Sequence, residues 1–569
     1  MTNGFIKKKY NRMYIAMLLS WAVCLIGSLS DSIVGGIFIS EDAVSATGLV
    51  QPVFSLVLFV ANLLGIGCST KFSNYAGAFD KESAQKVAGI GVIVAIISGS
   101  LLAALMFFGR NLFFSYFAVS GEVEVMARDY YNCFIWFMVI TPLYYTFYYL
   151  ASIDGDDVCI LSTDITNAIC NAFFSLLLVQ KCGIKGLAYG SILGMVISSG
   201  IVASHYFSKR NSVKFNFKID FKIFKEICIA GSTMSLTTLY IAIIDIYMNK
   251  FVIEHFGASY LAAYAIVNLI LNLGQISICA TDASSSFIGV SYGEKNPKAI
   301  RNMLNLCTKR TMITTLGMTA IFLLIAKYVP AIYGITTPEI VDASIYITRV
   351  LALSYLMTGF VYEWIGYLPM IDKSFIGNII AFVYMLAAPI IFPLIFTNLW
   401  GFKGMVWGFF ATPFAGFVVG AIFIIAKYGI KAFPYAIDEV DSKIFIHEFA
   451  VNEKELTMLR EQLRKDMAEA GLASGLANKV ELILEETIMI VIEKNNTKKE
   501  ILGDCTLIVT DDEVNLITRD NGVIFDITKE ADDSSSLRHY VAARLMSNSK
   551  NSAYLTTISF NRNSYVLER

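Results

Sequence analysis

The sequence predicts an all-α polytopic membrane protein with twelve transmembrane helices in two parallel six-helix repeats, followed by a C-terminal cytoplasmic α+β domain. Three observations carry this prediction. Hydrophobic residues make up 56% of the 569 residues and the mean hydropathy is +0.60, whereas one soluble core rarely exceeds about 250–300 residues. Charged residues are concentrated in the last part of the chain, and two distant apolar regions repeat one another.

Charge divides the chain near residue 440. Of the 129 residues from 441 to 569, 38 are charged, against 53 of the first 440. Because a soluble chain carries about 25% charged residues, the first part is typical of a membrane protein and the second of a soluble domain. The formal net charge is −1, so the chain lacks a basic field for nucleic acid and we expect no nucleic-acid partner.

Twelve apolar stretches are long enough to cross a bilayer, which takes about 20 residues in a helix. They lie near residues 13–38, 44–69, 87–108, 129–152, 159–180, 186–207, 227–253, 260–289, 311–333, 345–370, 376–397 and 404–427. The first follows Lys7, Lys8 and Lys9 and so resembles a signal peptide in charge, but its length predicts that it stays as a helix.

Loop charges predict the orientation. With the N-terminus inside, 21 Lys and Arg residues fall on the cytoplasmic side and 8 on the opposite side, as the positive-inside rule requires. The acidic loop at 154–157 is an exception on the inside. An even number of spans then places both termini in the cytoplasm, and we expect a multi-pass protein of the cell (inner or cytoplasmic) membrane.

Two pairs of segments repeat at nearly the same distance. The segment around Asp31 has a counterpart around Asp245, 214 residues later, and the segment around Gly77 has one around Gly293, 216 residues later. Six spans in each half make the repeats parallel, and a duplicated bundle with a cleft between its halves favours alternating access. The predicted divisions are an N-terminal lobe at 1–208, a basic cytoplasmic linker at 209–226, a C-terminal lobe at 227–430 and a tail domain at 441–569.

Carboxylates within the spans are the first candidates for an ion or substrate site, because each is costly at bilayer depth. Asp31 lies in the first span, where no basic residue neutralises it; the competing interpretation is a structural hydrogen bond or a place near the interface. Asp245 in the seventh span has Lys250 nearby, so an ion pair is its alternative. Glu363 is a lone carboxylate in the tenth span. Asp282 in the eighth is expected near the cytoplasmic end, where solvation accounts for it.

The fifth span carries a polar stripe. Asp164, Asn167, Asn171 and Ser175 follow one another at spacings of three or four residues, which places them on one helical face. Such a stripe must face protein or a cavity rather than lipid. We therefore expect a cavity lining in the N-terminal lobe, with helix–helix hydrogen bonding as the alternative.

Motifs for several other activities do not occur in the sequence. There is no GxxxxGK[ST], which excludes a P-loop motor within this chain, and no HExxH. Ten scattered cysteines without a CxxC pair and only four histidines give no metal-ligand motif. We expect a protein that is not an enzyme and that requires no cofactor.

The membrane part resembles the multidrug and toxic compound extrusion (MATE) family over roughly residues 10–430. The segments that carry the resemblance are DSIVGGIFISEDAVSATGL after Ser30, NYAGAFDKESA at 74–84, GIKGLAYGS at 183–191, AAYAIVNLI from Ala262 and SYGEKN from Ser291. The resemblance implies that Asp31 takes part in coupling to Na⁺ or H⁺. The family often places Asn and Asp four residues apart in the fifth span; Asn167 matches the first, whereas Asn171 stands at the aspartate position, with Asp164 one turn earlier.

The sequence of the tail domain predicts an α+β fold. Asn452 with Glu455 fits the N-cap and N3 position of a first helix, and an apolar face predicts a second helix from Leu476. Alternation of apolar and polar residues predicts strands in the remaining segments. These elements are a strand at IFIHEF, a strand pair at CTLIVT and EVNLITR around the Asp511–Asp512 turn, a helix near 537–547 and two final strands.

This order resembles the histidine-kinase-type ATPase domain of anti-sigma-factor kinases. By that resemblance LILEETIMIVIEKN matches the helix that holds Mg-ATP, with Glu486 at its glutamate, and Asp520–Asn521–Gly522 matches the adenine-reading box. Ile490 stands where the family has its magnesium-ligating asparagine, and DDSSSLRHYVAARLM replaces the glycine-rich lid. Isoleucine has no lone pair for magnesium, so hydrolysis is not expected.

Three interpretations of the tail domain stay open. One is ATP sensing without turnover, with Glu486, Asp520 and Gly522 at the nucleotide. Another is a degenerate domain that binds a cytoplasmic protein partner or the transporter itself. For Asp520–Asn521–Gly522 alone, a simple hairpin turn is the third.

The leading hypothesis is a secondary-active antiporter that exports drugs or other small organic, mainly cationic, compounds by alternating access, with a regulatory or nucleotide-sensing tail domain. Its partners are the small-molecule substrate and the lipid bilayer, and Na⁺ or H⁺ is the coupling ion. The candidate ion- and substrate-binding residues are Asp31, Asp164, Asn167, Asn171, Asp245 and Glu363. The alternatives are a flippase for a lipid-linked substrate, and a membrane-anchored sensor or kinase whose tail is the active part.

Overall fold

The chain folds into a large helical domain followed by a smaller domain built on a β-sheet. The computed structural model describes residues 4–117, 121–208, 211–257, 260–332, 337–438, 441–495, 500–524, 551–558 and 560–569, together with residues 335 and 526. Within these ranges, the side chains at 25–33, 36–37, 41–42, 44–45, 262, 332, 551–552 and 556–557 are not described.

The N-terminal lobe consists of six long helices. They are α1 (Gly4–Phe38), α2 (Glu41–Gly77), α3 (Lys81–Phe117), α4 (Glu122–Ile153), α5 (Asp157–Cys182) and α6 (Ile184–Tyr206). Side-chain caps fix two of their starts, because the Ser40 hydroxyl accepts the Ala43 N–H before α2 and the Asp156 carboxylate accepts the Cys159 N–H before α5. Each helix contains one predicted apolar stretch, to within a residue at its ends.

The C-terminal lobe contains more breaks. Its helices are α7 (Phe221–Phe256), α8 (Leu261–Leu273), α9 (Cys279–Gly293), α10 (Pro297–Ile325), α11 (Val329–Ile332), α12 (Pro338–Ala352), α13 (Tyr355–Tyr367), α14 (Ser374–Phe382) and α15 (Ala388–Tyr428). A tighter helical turn at Gly274–Ile278 joins α8 to α9. The α15 helix is interrupted at Trp400 and Gly401; the positive φ of Gly401, 58°, is a conformation that glycine adopts readily.

Among the described residues, nine helices are long and apolar enough to cross a membrane, or ten if the pair α12–α13, bent by 54°, counts as one span. The chain therefore has the predicted, mostly helical, multi-span membrane fold. The number twelve stays a prediction; the segment 374–428 counts once although α15 is broken at Trp400–Gly401.

The two lobes approach most closely where α2 crosses α7. A Cβ atom on Gly231 of α7 would lie 2.8 Å from the carbonyl carbon of Leu63 and 3.1 Å from the Gly67 nitrogen. On α2, a Cβ atom on Gly67 would in turn lie 3.0 Å from the carbonyl carbon of Ile227. The two backbones touch because glycine stands at both positions, as small residues allow between membrane helices.

The tail domain is an antiparallel sheet with two helices. Its elements are β1 (Lys443–Ala450), α16 (Glu453–Glu469), α17 (Ser474–Lys494), β2 (Leu502–Val509), β3 (Glu513–Asp520), β4 (Asn551–Thr557) and β5 (Phe560–Glu568), with the strands in the order β1–β2–β3–β5–β4. All five predicted strands and the first two helices are present, and Asn452 caps α16 by accepting the Glu455 N–H at 2.9 Å. The predicted helix near 537–547 lies outside the described residues.

The two faces of this sheet are covered by different partners. Helices α16 and α17 pack on one face, in a core that includes Phe449, Leu507, Leu516 and Tyr565. The opposite face lies on the helical domain, where Ile558 and Phe560 join the core of the bundle and the Phe560 ring stands 4.5 Å from that of Phe5 in α1. We call the side of the helical domain that the sheet covers the tail side.

Candidate transport site

In the N-terminal lobe, Asp164 of α5 is a candidate carboxylate whose side chain the structure describes. This side chain is buried and accepts a hydrogen bond of 2.9 Å from the Tyr148 hydroxyl of α4, with Ser20 of α1 beside it. Three helices therefore meet around a carboxylate whose neighbours here are neutral. Such a group can take up a proton or a cation without first breaking an ion pair.

The rest of the predicted stripe on α5 packs against α6. The Ser175 hydroxyl donates to the Asn171 side-chain oxygen at 3.1 Å, and a Cβ atom on Gly194 of α6 would lie 3.0 Å from the Asn167 side-chain oxygen. Asn167 and Asn171 thus stand at a helix–helix contact, the interpretation that competed with a cavity lining. Their role in binding remains a prediction.

Asp31 lies in α1, seven residues before the helix ends at Phe38, and its side chain is outside the described residues. The role assigned to it from the sequence therefore stays a prediction.

In the C-terminal lobe, Asp245 of α7 is half-buried and faces the Asn268 side chain of α8. Both residues line a cavity that also includes Asn272, Gln275 and Tyr362. The competing ion pair with Lys250 is not formed, because the ammonium of Lys250 is exposed and lies 3.8 Å from Glu254. Asp245 therefore has a neutral partner, like Asp164 in the other lobe.

Glu363 of α13 is buried in the C-terminal lobe, against α10. Its Oε1 accepts a hydrogen bond of 2.6 Å from the Thr308 hydroxyl of α10, while its Oε2 has no hydrogen-bond partner among the described residues. The Tyr435 hydroxyl lies 3.3 Å from the same Thr308 hydroxyl. A buried carboxylate with one oxygen unpaired is suited to carrying a proton.

Asp282 is a carboxylate whose environment the sequence did not predict. It lies eleven residues inside α9 from Gly293, and its Oδ2 accepts a hydrogen bond of 3.0 Å from the Trp21 indole of α1. The expectation of simple solvation near a helix end is therefore wrong, since the partner belongs to the opposite lobe. Helix periodicity within one span carries no signal for a contact between lobes.

Further contacts join the lobes on the tail side. The Tyr10 hydroxyl donates to the Ala280 carbonyl oxygen at 3.1 Å, and Lys71 of α2 pairs with Asp372. The ends of α2 and α9 also meet, because a Cβ atom on Gly77 would lie 2.9 Å from the Gly293 Cα. These contacts all lie in the half of the bundle next to the sheet, so the lobes touch each other on that side.

The residues predicted to hold a nucleotide are engaged within the tail domain. The Asp520 Oδ1 accepts hydrogen bonds of 2.9 Å from the Gly522 N–H and from the Asn561 amide. Ile490, at the position of the family's magnesium ligand, is fully buried in the core under the sheet. Glu486 lies on α17, and the segment at the lid position falls outside the described residues. Nucleotide binding therefore stays a prediction.

Fold and site together define a two-lobed, multi-span membrane protein with buried carboxylates in both lobes. The MatE family model matches the chain twice, at residues 16–177 and 233–394, more than half of its length. The chain belongs to this family, whose members are transporters and not enzymes. Both matches end before the tail domain, so its resemblance to histidine-kinase-type ATPases stays a prediction.

Individual relatives are similar over the same part of the protein. The multidrug export protein MepA of Staphylococcus haemolyticus is 22% identical over 400 residues, which cover 67% of this chain and 87% of MepA. A solved outward-facing structure of a multidrug resistance MATE transporter matches with a TM-score of 0.69 at 24% identity, over 73% of this chain and 94% of the other. A transporter from Pyrococcus furiosus matches with a TM-score of 0.67 at 23% identity, over 72% and 94%. These structural likenesses establish the fold.

Proposed function

We propose that this chain is a secondary-active antiporter, which couples the inward movement of Na⁺ or H⁺ to the export of drugs or other small organic, mainly cationic, compounds. The observation that carries the proposal is a pair of carboxylates, the buried Asp164 and the half-buried Asp245, one in each lobe and each beside a neutral polar side chain. A carboxylate held in this way is available in turn to a coupling ion and to a cationic substrate. The name of MepA, a multidrug export protein, supports drugs as substrates.

Transport would proceed by alternating access between two six-helix lobes. The contacts of Tyr10, Lys71 and Gly77 with the opposite lobe close the tail side, which supports a cleft that faces the other side in this state. Two observations support twelve spans. The α1 helix has 35 residues and is therefore long enough to cross a bilayer, and the break at Trp400–Gly401 divides α15 into two helical segments. The basic loops support a cytoplasmic position for the tail side and both termini, in a protein of the cell (inner or cytoplasmic) membrane.

Asp31 is the residue proposed to bind the coupling ion. One elementary charge moved through 100 mV is worth about 2.3 kcal/mol, so coupling needs at least one group that binds an ion or a proton within the membrane. The flippase alternative would favour basic residues in the cavity, whereas Lys250 is exposed and near Glu254. The sensor or kinase alternative is weakened because Asp520 is occupied by contacts within the tail domain.

We expect Asp31→Asn to abolish coupled export while leaving expression intact. The measurement is efflux of a lipophilic cationic dye from drug-sensitised cells at matched expression, with the Na⁺ and proton gradients collapsed in turn. Wild-type efflux that stops when one gradient is collapsed would identify the coupling ion.

Glu254→Gln serves as the matched control, since this exposed carboxylate of α7 pairs with the exposed Lys250. It should leave efflux within about twofold of wild type, because isolated exposed pairs contribute little. Efflux at the wild-type rate in Asp31→Asn would refute Asp31 as the coupling group. Wild-type efflux that is insensitive to both gradients would refute the antiport mechanism.

A further inference from the structure

Four charged residues form a row across the sheet of the tail domain, on the face that lies against the helical domain. Glu448 pairs in register with Asp504, Asp504 with Arg519, and Arg519 with Arg562, so the row runs across β1, β2, β3 and β5. We call these four residues the latch row. Asp504 and Arg562 are fully buried, although charges on the face of a sheet normally face water.

Arg562 binds both lobes of the transporter. Its guanidinium donates to the carbonyl oxygens of Ala76 and Gly77 at the end of α2, at 3.1 and 3.4 Å, and lies 4.5 Å from the centre of the Phe79 ring. The same group donates to Glu294 Oε1 at 2.6 Å, just after α9 ends. The cation thus meets the negative end of the α2 dipole in one lobe and a buried carboxylate in the other.

The other end of the latch row binds α1. The two carboxylate oxygens of Glu448 accept the N–H groups of Phe5 and Ile6, at 3.0 and 3.4 Å. These N–H groups belong to the first helical turn, so they have no acceptor within the helix, and the helix dipole favours an anion there. Glu448 and Arg562 therefore match helix ends of opposite polarity.

The sheet also straddles the boundary between the lobes away from the latch row. At its β4–β5 end, Ile558 lies against Gly155 of the N-terminal lobe. At its β1 edge, the Lys298 ammonium from α10 of the C-terminal lobe donates to the Ile444 carbonyl oxygen at 3.0 Å. A sheet docked on two lobes constrains their relative movement.

The tail side cannot open while the latch row keeps all its contacts. Opening must separate the end of α2 from the end of α9, which touch at Gly77 and Gly293. Arg562 holds the carbonyl groups on one side of this gap and Glu294 on the other. We propose that the tail domain is an intramolecular latch, which holds the tail side closed and whose release from at least one lobe limits each transport cycle. The link to the cycle rests on the alternating-access function proposed above.

The latch is tested by hydrogen–deuterium exchange on the purified full chain in lipid nanodiscs. The probes are the amides of Ala78 and Glu294, which are hydrogen-bonded to Asn74 and Val290 at the two sides of the gap. In Arg562→Gln we expect exchange at both probes to be at least tenfold faster, while amides of α16 and α17 stay as protected as in wild type. In the dye assay the same variant should export several-fold faster.

Two further variants complete the test. Arg464→Gln is the control, since Arg464 is a largely exposed arginine of the tail domain that pairs with Glu481 far from the lobes; it should change neither readout. Glu294→Gln weakens the same contact from its partner on the helical domain. It should change both readouts as Arg562→Gln does, and it keeps the test valid if Arg562→Gln folds poorly.

Unchanged exchange at Ala78 and Glu294 in both Arg562→Gln and Glu294→Gln would overturn the latch. Faster exchange with an unaltered export rate would overturn its role in the cycle. Because exchange needs no substrate, failure of the wild type to export dye would count against the proposed function and leave the docking result standing.

Discussion

Gly77→Ala is expected to reduce export by at least about fivefold. The added Cβ atom would lie 2.9 Å from the Gly293 Cα and closer still to the Val290 carbonyl oxygen, and both neighbours are backbone atoms that cannot rotate away. Overpacking of this kind costs about 1–3 kcal/mol, which shifts an equilibrium between closed and open tail sides by about 5- to 150-fold. Gly77→Ala blocks the approach of the two helix ends itself, whereas Arg562→Gln removes only the tether across them and leaves the ends free to meet. In Gly77→Ala the state that is closed on the tail side would therefore be depopulated, and the cycle would lose one of its two end states.

The measurement combines dye efflux with exchange at Ala78 and Glu294, which should become faster in Gly77→Ala. The control is Gly200→Ala in α6, where a Cβ atom would have no neighbour within 4 Å. It should leave both readouts unchanged, because it adds the same atom without a contact. Wild-type efflux and wild-type exchange in Gly77→Ala would show that the two helix ends do not need to meet.

The helical part of the fold was predictable because its signals are local. Each apolar stretch is long enough to form a span by itself, and the caps at Ser40 and Asn452 depend on residues three positions away. The tail strands were likewise predicted from alternation along each segment. The repeat also paired Gly77 with Gly293, although nothing in the repeat indicates that the two glycines touch.

The site was less predictable because its decisive contacts join distant elements. Asp282 receives the Trp21 indole from the other lobe, and Asp245 turns to Asn268 rather than to the nearby Lys250. Sequence distance favoured the nearby lysine, whereas the fold places it on the exposed surface. The side chain of Asp31 is not described, so the strongest sequence candidate still depends on the efflux experiment.

The docked face of the sheet was missed for a similar reason. Asp504, Arg519 and Arg562 are charged residues on neighbouring strands, and charges on one face of a sheet ordinarily indicate a solvent-facing side. The contacts with the helical domain show that these charges are buried: Glu294 Oε1 accepts from Arg562, and Glu294 Oε2 lies 4.0 Å from Arg519. Burial by a second domain leaves no periodic signal in either sequence segment.

Docking of the tail domain is expected to weaken as the pH rises from about 4 to about 6. Burial raises the pKa of the Asp504 carboxyl to about 6 from an ordinary value of 3.8; Glu294 and Glu448 add to this, while Arg519, 2.9 Å away, opposes it. Arg562 stays cationic in this range and also faces the carboxyl. The docked state therefore holds a proton on Asp504 that a solvated carboxyl would release.

Because the docked state binds this extra proton, docking is more favourable at low pH. The contribution of Asp504 to docking is fully present below about pH 4, where the solvated carboxyl is also protonated, and is lost as the pH rises through about 6. A shift of about two pKa units corresponds to about 3 kcal/mol, so the latch should be tighter in acid than at neutral pH. Asp504→Asn cannot ionise and should dock at pH 7.5 as the protonated wild type docks at pH 4.5.

The test compares the Ala78 exchange rate of wild type and Asp504→Asn at each pH, since the intrinsic exchange chemistry at this distant amide cancels in the ratio. The two proteins should exchange alike at pH 4.5, and wild type should be at least tenfold faster at pH 7.5. Asp512→Asn, in the exposed β2–β3 turn, should follow wild type at every pH. A ratio that stays constant from pH 4.5 to 7.5 would mean that Asp504 keeps its charge when buried. Arg519 would then outweigh the cost of burial, and the latch would respond to charge pairing alone rather than to acidity.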